Sequence, residues 1–250
     1  MYILYRIKKT VKYLLFGWWR NLGTFFVYLK EYFQFKQRSD GRFPIRASDM
    51  HPYLEDRTKV TPFDHHYIYH PAWAARILAQ TRPEKHIDIS SILSFSTQVS
   101  AFIPMEFYDY RPATVTLSAL YCGKADLTNL HFADNSIPSL SCMHTIEHIG
   151  LGRYGDPMDP QGDLKAIKEL KRVVAPGGSL LFVTPTGKAA IHFNAHRIYS
   201  YTQILSYFEG WSLENFALIM DDGSFKAVAT EQEANSQSYG CGCYWFKKHQ

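Results

Sequence analysis

The chain has 250 residues, of which 46% are hydrophobic and 20% charged; this excludes a disordered chain and leaves room for one α/β domain with an appendage. Residues 1–46 carry ten Lys/Arg against Glu31 and Asp40, a net of +8, whereas the other 204 residues carry 17 Lys/Arg against 21 Asp/Glu, a net of −4. An acidic body with no basic groove excludes nucleic acid as the main partner. The four cysteines (Cys122, Cys142, Cys241, Cys243) are too few for a disulfide scaffold in a chain this long; they fit the reduced thiols of a cytoplasmic protein.

The basic arm, residues 1–46, mixes its cations with Trp18, Trp19, Phe25, Phe26, Tyr32, Phe33 and Phe35. Aromatic rings settle at the level of lipid headgroups while Lys and Arg meet anionic lipid. The arm is therefore expected to be a helix or helical pair. It lies on the inner face of a membrane, on a partner protein, or against its own domain. The apolar stretch from Tyr13 to Leu29 is interrupted by Arg20, Asn21 and two glycines, so it is short and polar for a membrane span, and no signal-peptide cleavage site follows it. Arg38–Pro44 reads as a linker, and residues 47–250 form the body.

Within the body, Trp73–Gln80 reads as a helix broken at Thr81–Lys85, and His86–Ile89 as a short buried strand. A helix is expected from Gln98, a second strand over Met105–Tyr108, and a third strand region between residues 114 and 136. Ser139–His144 gives a fourth strand. Leu164, Ile167, Leu170, Val173 and Val174 recur at helical spacing. Ala175-Pro176-Gly177-Gly178 is expected to be a turn leading into a strand at Ser179–Val183. Tyr201–Phe208 is a helix, and Trp211–Ile219 with Cys243–Phe246 a closing antiparallel pair. This alternation predicts an α/β, Rossmann-like, doubly wound and mostly parallel sheet with helices on both faces.

Ligands of such sheets bind beyond the carboxyl ends of the strands. Asp88, Ser90 and Ser91 follow the first strand, Asp109 ends the second, Asp126 lies near the third, and His144–His148 follow the fourth. Asp109 stands 21 residues beyond Asp88, close to the interval between a first strand and a ribose-binding acid. His144-Thr-Ile-Glu147-His148 fits the H-x-x-E-H zinc-protease pattern, but its setting at the end of an apolar strand argues against that chemistry. The better reading is a substrate rim of His144, Glu147, His148, Arg153 and Asp156, in which a neutral His removes a hydroxyl proton while Glu147 or Asp156 orients its ring. His192, Asn194, His196 and Arg197 follow the fifth strand and reach the same mouth. Arg153 and Arg197 suit a phosphate or carboxylate. No metal is assigned, because nothing selects one from the mixed His and carboxylate rim; Cys241-Gly242-Cys243 is too closely spaced for the common zinc pairings. Thr61–Tyr67 is a candidate lid.

The segments ADLTNLHFADNSIPSLSCMHTIEHIG and DLKAIKELKRVVAPGGSLLFVTP, within Asp88–Ser224, resemble the class I S-adenosylmethionine-dependent methyltransferases. HIDISS, YDYRP and HTIEHIGLGRYGDP are similar to an uncharacterised domain family of that type, whose members resemble products of surface-polysaccharide gene clusters. The resemblance implies S-adenosylmethionine held by Asp88, Ser90, Ser91, Asp109 and Asp126, and O-methylation of a sugar or glycan hydroxyl. The sequence departs from the superfamily in having no glycine between Asp88 and Gly123, where such enzymes carry a Gly-rich loop that lets the backbone approach the cofactor. The alternative is a methyltransferase-like chain that has lost this cofactor and acts as a binding or scaffold subunit, or as a transferase using another donor such as a nucleotide sugar.

Overall fold

The structure, a computed structural model, describes residues 22–250. Trp18, Trp19 and the first part of the Tyr13–Leu29 stretch lie outside the described residues. The chain divides into two compact units, Met1–Pro62 and Phe63–Gln250. In the first, α1 is described over residues 22–38 and a single 3-10 turn follows at Ala47–Asp49. Phe26, Phe33, Phe35 and Phe43 are exposed, and Arg57 donates to both carboxylate oxygens of Glu31 at 2.9 and 2.7 Å. Among the described residues no helix is long and apolar enough to cross a membrane.

The second unit opens with α2 (His65–Thr81), eight residues longer at its start than its apolar pattern suggests. The extension is capped by Asp64, whose side chain accepts from the Tyr67 amide at 3.2 Å. There follow β1 (His86–Ile89), α3 (Leu93–Val99), β2 (Met105–Asp109), β3 (Leu120–Lys124), β4 (Ile137–Met143) and α4 (Gly162–Val173). The chain continues through β5 (Val174–Thr186), the hairpin of β6 (Ala190–His192) and β7 (His196–Ile198), and α5 (Tyr201–Tyr207). It closes with β8 (Trp211–Ile219), β9 (Phe225–Lys226), α6 (Glu231–Asn235) and β10 (Gly240–Lys248). The main sheet runs β3-β2-β1-β4-β5-β10-β8-β9. β1 to β5 are parallel, and β10 is antiparallel to both β5 and β8.

Strands buried on both faces alternate between two cores. Leu180 and Phe182 of β5, with Tyr244 and Phe246 of β10, pack with α4, α5 and α6. Leu181, Val183, Cys241 and Cys243 point the other way, into a core with Trp73, Ala74, Ile77 and Leu78 of α2 and Phe95 and Val99 of α3.

Three further boundaries differ from expectation. α3 begins five residues before Gln98, because its Ser96 is drawn onto Asp88 at the end of β1. β3 is confined to Leu120–Lys124, and the chain after it turns at Asp126–Asn129. The Pro-Gly-Gly segment is not a free turn between helix and strand. β5 starts directly after α4, Ile137 pairs with Val174 and Ser139 with Ser179, and the residues between loop out as a bulge with Gly177 at φ +73.

Candidate functional site

The strand order reverses between β1 and β4, the place where open α/β sheets receive ligands. Beneath it lies a buried polar network. Asp88 is fully buried; its carboxylate accepts from Ser91 Oγ at 2.5 Å, from Ser96 Oγ at 3.0 Å and from Ser141 Oγ. Ser141 Oγ in turn lies 2.9 Å from His86 Nε2, and His86 Nδ1 lies 2.7 Å from Ser139 Oγ. Burial pushes the Asp88 carboxyl up to about 6 against the pull of its three serine partners, and it pushes the His86 imidazole down to about 3. Asp88 and Ser91 are thus committed to anchoring the start of α3 rather than presented to a ligand.

Above the network the crevice is bridged. Thr145 Oγ1 donates to the Ser90 carbonyl at 2.8 Å, and Ser90 itself takes the left-handed conformation at φ +58. The space remaining beside the bridge is about 140 Å³, lined by Ser90, Tyr110, Asp126, Leu127, Tyr154 and Asp156 among others. Sites for ligands of cofactor size run to roughly 300–1,000 Å³. The two acids are turned to their own loops. Asp109 accepts from the Arg111 amide at 2.8 Å, and Asp126 accepts from the amide and hydroxyl of Thr128 at 2.8 and 2.7 Å. Asp156 accepts from the amides of Gly150 and Tyr154 at 2.8 and 3.2 Å, so it ties the loop after β4 and does not orient a histidine. In this conformation the residues present do not fit S-adenosylmethionine.

The histidines gather elsewhere. A cavity of about 520 Å³ is lined by Tyr67, His144, Glu147, His148, Arg153, Phe193, Asn194, Ala195, His196 and Tyr239. A second depression of about 550 Å³, lined by His65, His66, Asp221 and Gly223 among others, shares Tyr67 and Tyr239 with it. His144 ends β4 at φ +53. Its Nδ1 lies 2.8 Å from Glu147 Oε1 and its Nε2 lies 3.2 Å from Cys241 Sγ. Since a carboxylate only accepts, Nδ1 carries the ring proton. Glu147 is 1% exposed, and its Oε2 has no hydrogen-bond partner. His148 Nδ1 donates to the Ala195 carbonyl at 2.6 Å, which leaves Nε2 as its accepting nitrogen. Arg153 Nη1 donates to the same carbonyl at 3.0 Å. Burial lowers the His148 and His196 imidazoles from their ordinary value. It lowers His66, with the neighbouring His144 acting the same way, to about 4. These rings are neutral near pH 7.

Of the residues expected at this rim, His144, Glu147, His148, Arg153, Asn194 and His196 meet in one cavity. His192 stands behind His196 with ring centroids 5.0 Å apart. Arg197 is buried; it donates to the Ile149 carbonyl at 2.7 Å and lies 3.5 Å from Asp163, so it fastens loops rather than facing the cavity. Sequence reasoning did not place His70, Tyr239 or Cys241 at this rim. From the candidate lid, His66 lines the second depression and Tyr67 lines both. The spacing of His66 and His70 on one turn of α2 was the available signal. Tyr239 and Cys241, almost a hundred residues beyond His144, gave none.

Residues 127–237 match a family described as Caenorhabditis protein of unknown function, DUF268. No curated protein matches the sequence. Among solved structures, the N-methyltransferase NodS from Bradyrhizobium japonicum WM9, in complex with S-adenosyl-L-homocysteine, is 12% identical with a TM-score of 0.54, over 78% of this chain and 93% of that one. The MccD protein is 14% identical with a TM-score of 0.52, over 72% of this chain and 96% of that one. The 1,6-didemethyltoxoflavin-N1-methyltransferase of Burkholderia thailandensis, with bound 1,6-didemethyltoxoflavin and S-adenosylhomocysteine, is 8% identical with a TM-score of 0.52, over 73% of this chain and 79% of that one. At such identities the likeness speaks of the fold alone: this chain has the mostly parallel sheet with an antiparallel end that is shared by S-adenosylmethionine-dependent methyltransferases.

Proposed function

We propose that the chain is a hydroxyl-directed transferase that works in the histidine cavity on a sugar or glycan intermediate carrying an anionic group. The observation that carries this reading is His148: its Nδ1–H is committed to the Ala195 carbonyl, so Nε2 is a basic nitrogen at the wall of a 520 Å³ cavity. Near pH 7 a neutral imidazole accepts a hydroxyl proton as the oxygen attacks its electrophile. Glu147 Oε1 lies 3.7 Å from His148 Nε2 and offsets the positive charge that the ring then gains. Arg153 supplies a guanidinium at the same rim, suited to a phosphate or carboxylate of the substrate or of a nucleotide-sugar donor.

A second reading, methyl transfer from S-adenosylmethionine, is favoured by one observation: Asp126, Tyr110 and Leu127 line the small cavity and Asp109 ends β2, where the resemblance expects a ribose and an adenine. Calorimetric titration separates the two. Heat with a nucleotide sugar that is lost in Arg153→Ala, and none with S-adenosylhomocysteine, supports the first. Micromolar binding of S-adenosylhomocysteine, lost in Asp109→Ala, overturns it in favour of the second. The charge of residues 1–46 and the exposed phenylalanines of α1 support a peripheral station on an anionic membrane surface for either activity.

A further inference from the structure

We infer that His66 from the start of α2, His144 from the end of β4 and Cys241 from β10 form a binding site for a zinc ion. Their donor atoms all lie within 4.8 Å of one another, and His144 Nε2 and Cys241 Sγ are 3.2 Å apart. Around a tetrahedral zinc with Zn–S of about 2.3 Å and Zn–N of about 2.0–2.1 Å, neighbouring donor atoms stand roughly 3.5 Å apart. The three ligands therefore need only small adjustments to close on an ion.

The surroundings of the ligands point the same way. His144 donates from Nδ1 to Glu147 at 2.8 Å, so its lone pair is on Nε2, the nitrogen turned toward Cys241. A carboxylate behind a ligating imidazole is the usual outer support of a zinc site; it fixes the ring and raises its basicity. His144 is held at φ +53, a left-handed conformation that is strained for a non-glycine residue. The rings of His66 and His144 stack with centroids 5.3 Å apart, Tyr239 stacks on His66 and Tyr67 on His144.

Unsatisfied polar atoms lie on the side chains around these ligands. Five buried side-chain atoms lack a hydrogen-bond partner among the described residues. Three of them belong here: Glu147 Oε2, on the carboxylate bonded to His144; His70 Nε2, on a ring 5.1 Å from that of His144; and His196 Nε2, on a ring 4.7 Å from Tyr239. Native proteins leave few such groups, and a cluster of them calls for an ion or a ligand.

The donor set narrows the metal to a soft or borderline transition ion. One thiol and two imidazoles suit zinc and are poor ligands for calcium or magnesium, which take oxygen. On binding, the Cys241 S–H bond breaks, sulfur keeps the electron pair as a thiolate ligand, and the proton leaves to solvent. The row Cys241–His144–Glu147 also has the outline of an activated nucleophile. Cys241 is completely buried between β5 and β8, however, so no substrate carbon reaches its sulfur. Three protein ligands leave a fourth position open, as in catalytic zinc sites; His144 lines the 520 Å³ cavity and His66 the 550 Å³ depression.

The site stands independently of the transferase reading, and its test needs no substrate. Full-length protein stripped by a chelator is titrated with Co²⁺ and then Zn²⁺ while the absorption spectrum is followed. One equivalent of cobalt is expected to raise a near-ultraviolet thiolate-to-cobalt band with visible bands of tetrahedral intensity, and zinc abolishes them. Cys241→Ser loses the thiolate band. His66→Ala, a change at a partly exposed helix start, keeps the fold by circular dichroism and weakens zinc binding at least tenfold. Glu147→Gln weakens it about 10–100-fold. Absence of the thiolate band from the wild-type protein, its persistence in Cys241→Ser, or unchanged affinity in folded His66→Ala overturns the assignment.

Discussion

Thr145 and Ser90 join the carboxyl ends of β4 and β1: the threonine hydroxyl donates to the serine carbonyl at 2.8 Å, directly across the point where the strand order reverses. A single side chain thereby spans the crevice in which sheets of this kind hold their ligands. The bridge closes over the glycine-free loop after β1, whose Ser90 itself takes the left-handed conformation at φ +58.

Removing the bridge tests that account. Thr145→Val is expected to lower stability by about 1 kcal/mol, the net worth of one hydrogen bond, as read by urea denaturation. Combined with Tyr154→Ala, which takes away the ring lying between Arg111 and Arg153, it enlarges the 140 Å³ cavity. The double variant is expected to give measurable heat with S-adenosylhomocysteine where the wild type gives none. Equal binding by both proteins would show that the bridge does not exclude the cofactor.

Stability between pH 4 and 6 carries two opposed contributions from the buried network. Asp88, raised to about 6 from its ordinary 3.8, is more protonated in the folded chain, so its contribution is present at low pH and is lost as pH rises through that window. His86, lowered to about 3 from 6.5, is less protonated when folded, and its contribution is lost as pH falls. The wild-type profile should therefore be shallow over this range. Asp88→Asn leaves the histidine alone, and its stability should climb from pH 4 to pH 6. A flat profile for the variant, measured by urea denaturation at each pH, would contradict the network.

Arg172 clamps the loop after β3 onto α4. Its guanidinium donates to the carbonyls of Leu130 and Phe132 at 2.8 Å, to Asp134 at 2.7 Å and to both oxygens of Glu169 at 2.7–2.8 Å. Arg172→Met keeps the stem and removes the fork. A loss of roughly 1.5–3 kcal/mol is expected, the scale of hydrogen bonds to charged groups. Arg172→Lys should restore only part of it, since one ammonium cannot reach the same set.

Gly150 sits at φ +78, and a Cβ there would stand 2.0 Å from the Asp159 carbonyl oxygen. Gly150→Ala must displace the loop that carries Arg153. The expected result is weakened binding of an anionic ligand in the histidine cavity with α4 and β4 still folded, seen as local loss of amide-exchange protection over residues 149–160. Protection unchanged from wild type would rule out this tight approach.

The arm makes a separate prediction. With a net charge of +8 over residues 1–46, the full chain should sediment with phosphatidylserine-containing vesicles and not with neutral ones. Binding should fall steeply between low and physiological salt, because surface charges are screened over a Debye length of about 8–10 Å. Equal binding to neutral vesicles would mean that charge is not what holds it.

The alternation of strands and helices was legible because each buried strand is an apolar run and each helix shows one apolar stripe. Leu180–Val183 and the Ile167, Leu170, Val173 face of α4 are the plainest cases. The Pro-Gly-Gly segment misled for a physical reason. Its residues suit a turn, but the pairing of Ile137 with Val174 holds the chain in register before the bulge begins. Asp88 misled in a different way. A carboxylate at the end of β1 reads as a ligand group until Ser91, Ser96 and Ser141 are seen to take up its acceptor positions.

Local pattern alone determined the fold class, the split of charge between arm and body, and the gathering of His144, Glu147, His148 and Arg153 at one strand end, because these depend on neighbours in sequence and on strand direction. Only the tertiary structure decided which polar groups are spent on the fold and which remain for chemistry. His66, His144 and Cys241 come from a helix, a strand end and a reversed strand, and no spacing rule links them. They meet because β10 lies antiparallel to β5, which itself borders β4, and because α2 packs on that same face of the sheet.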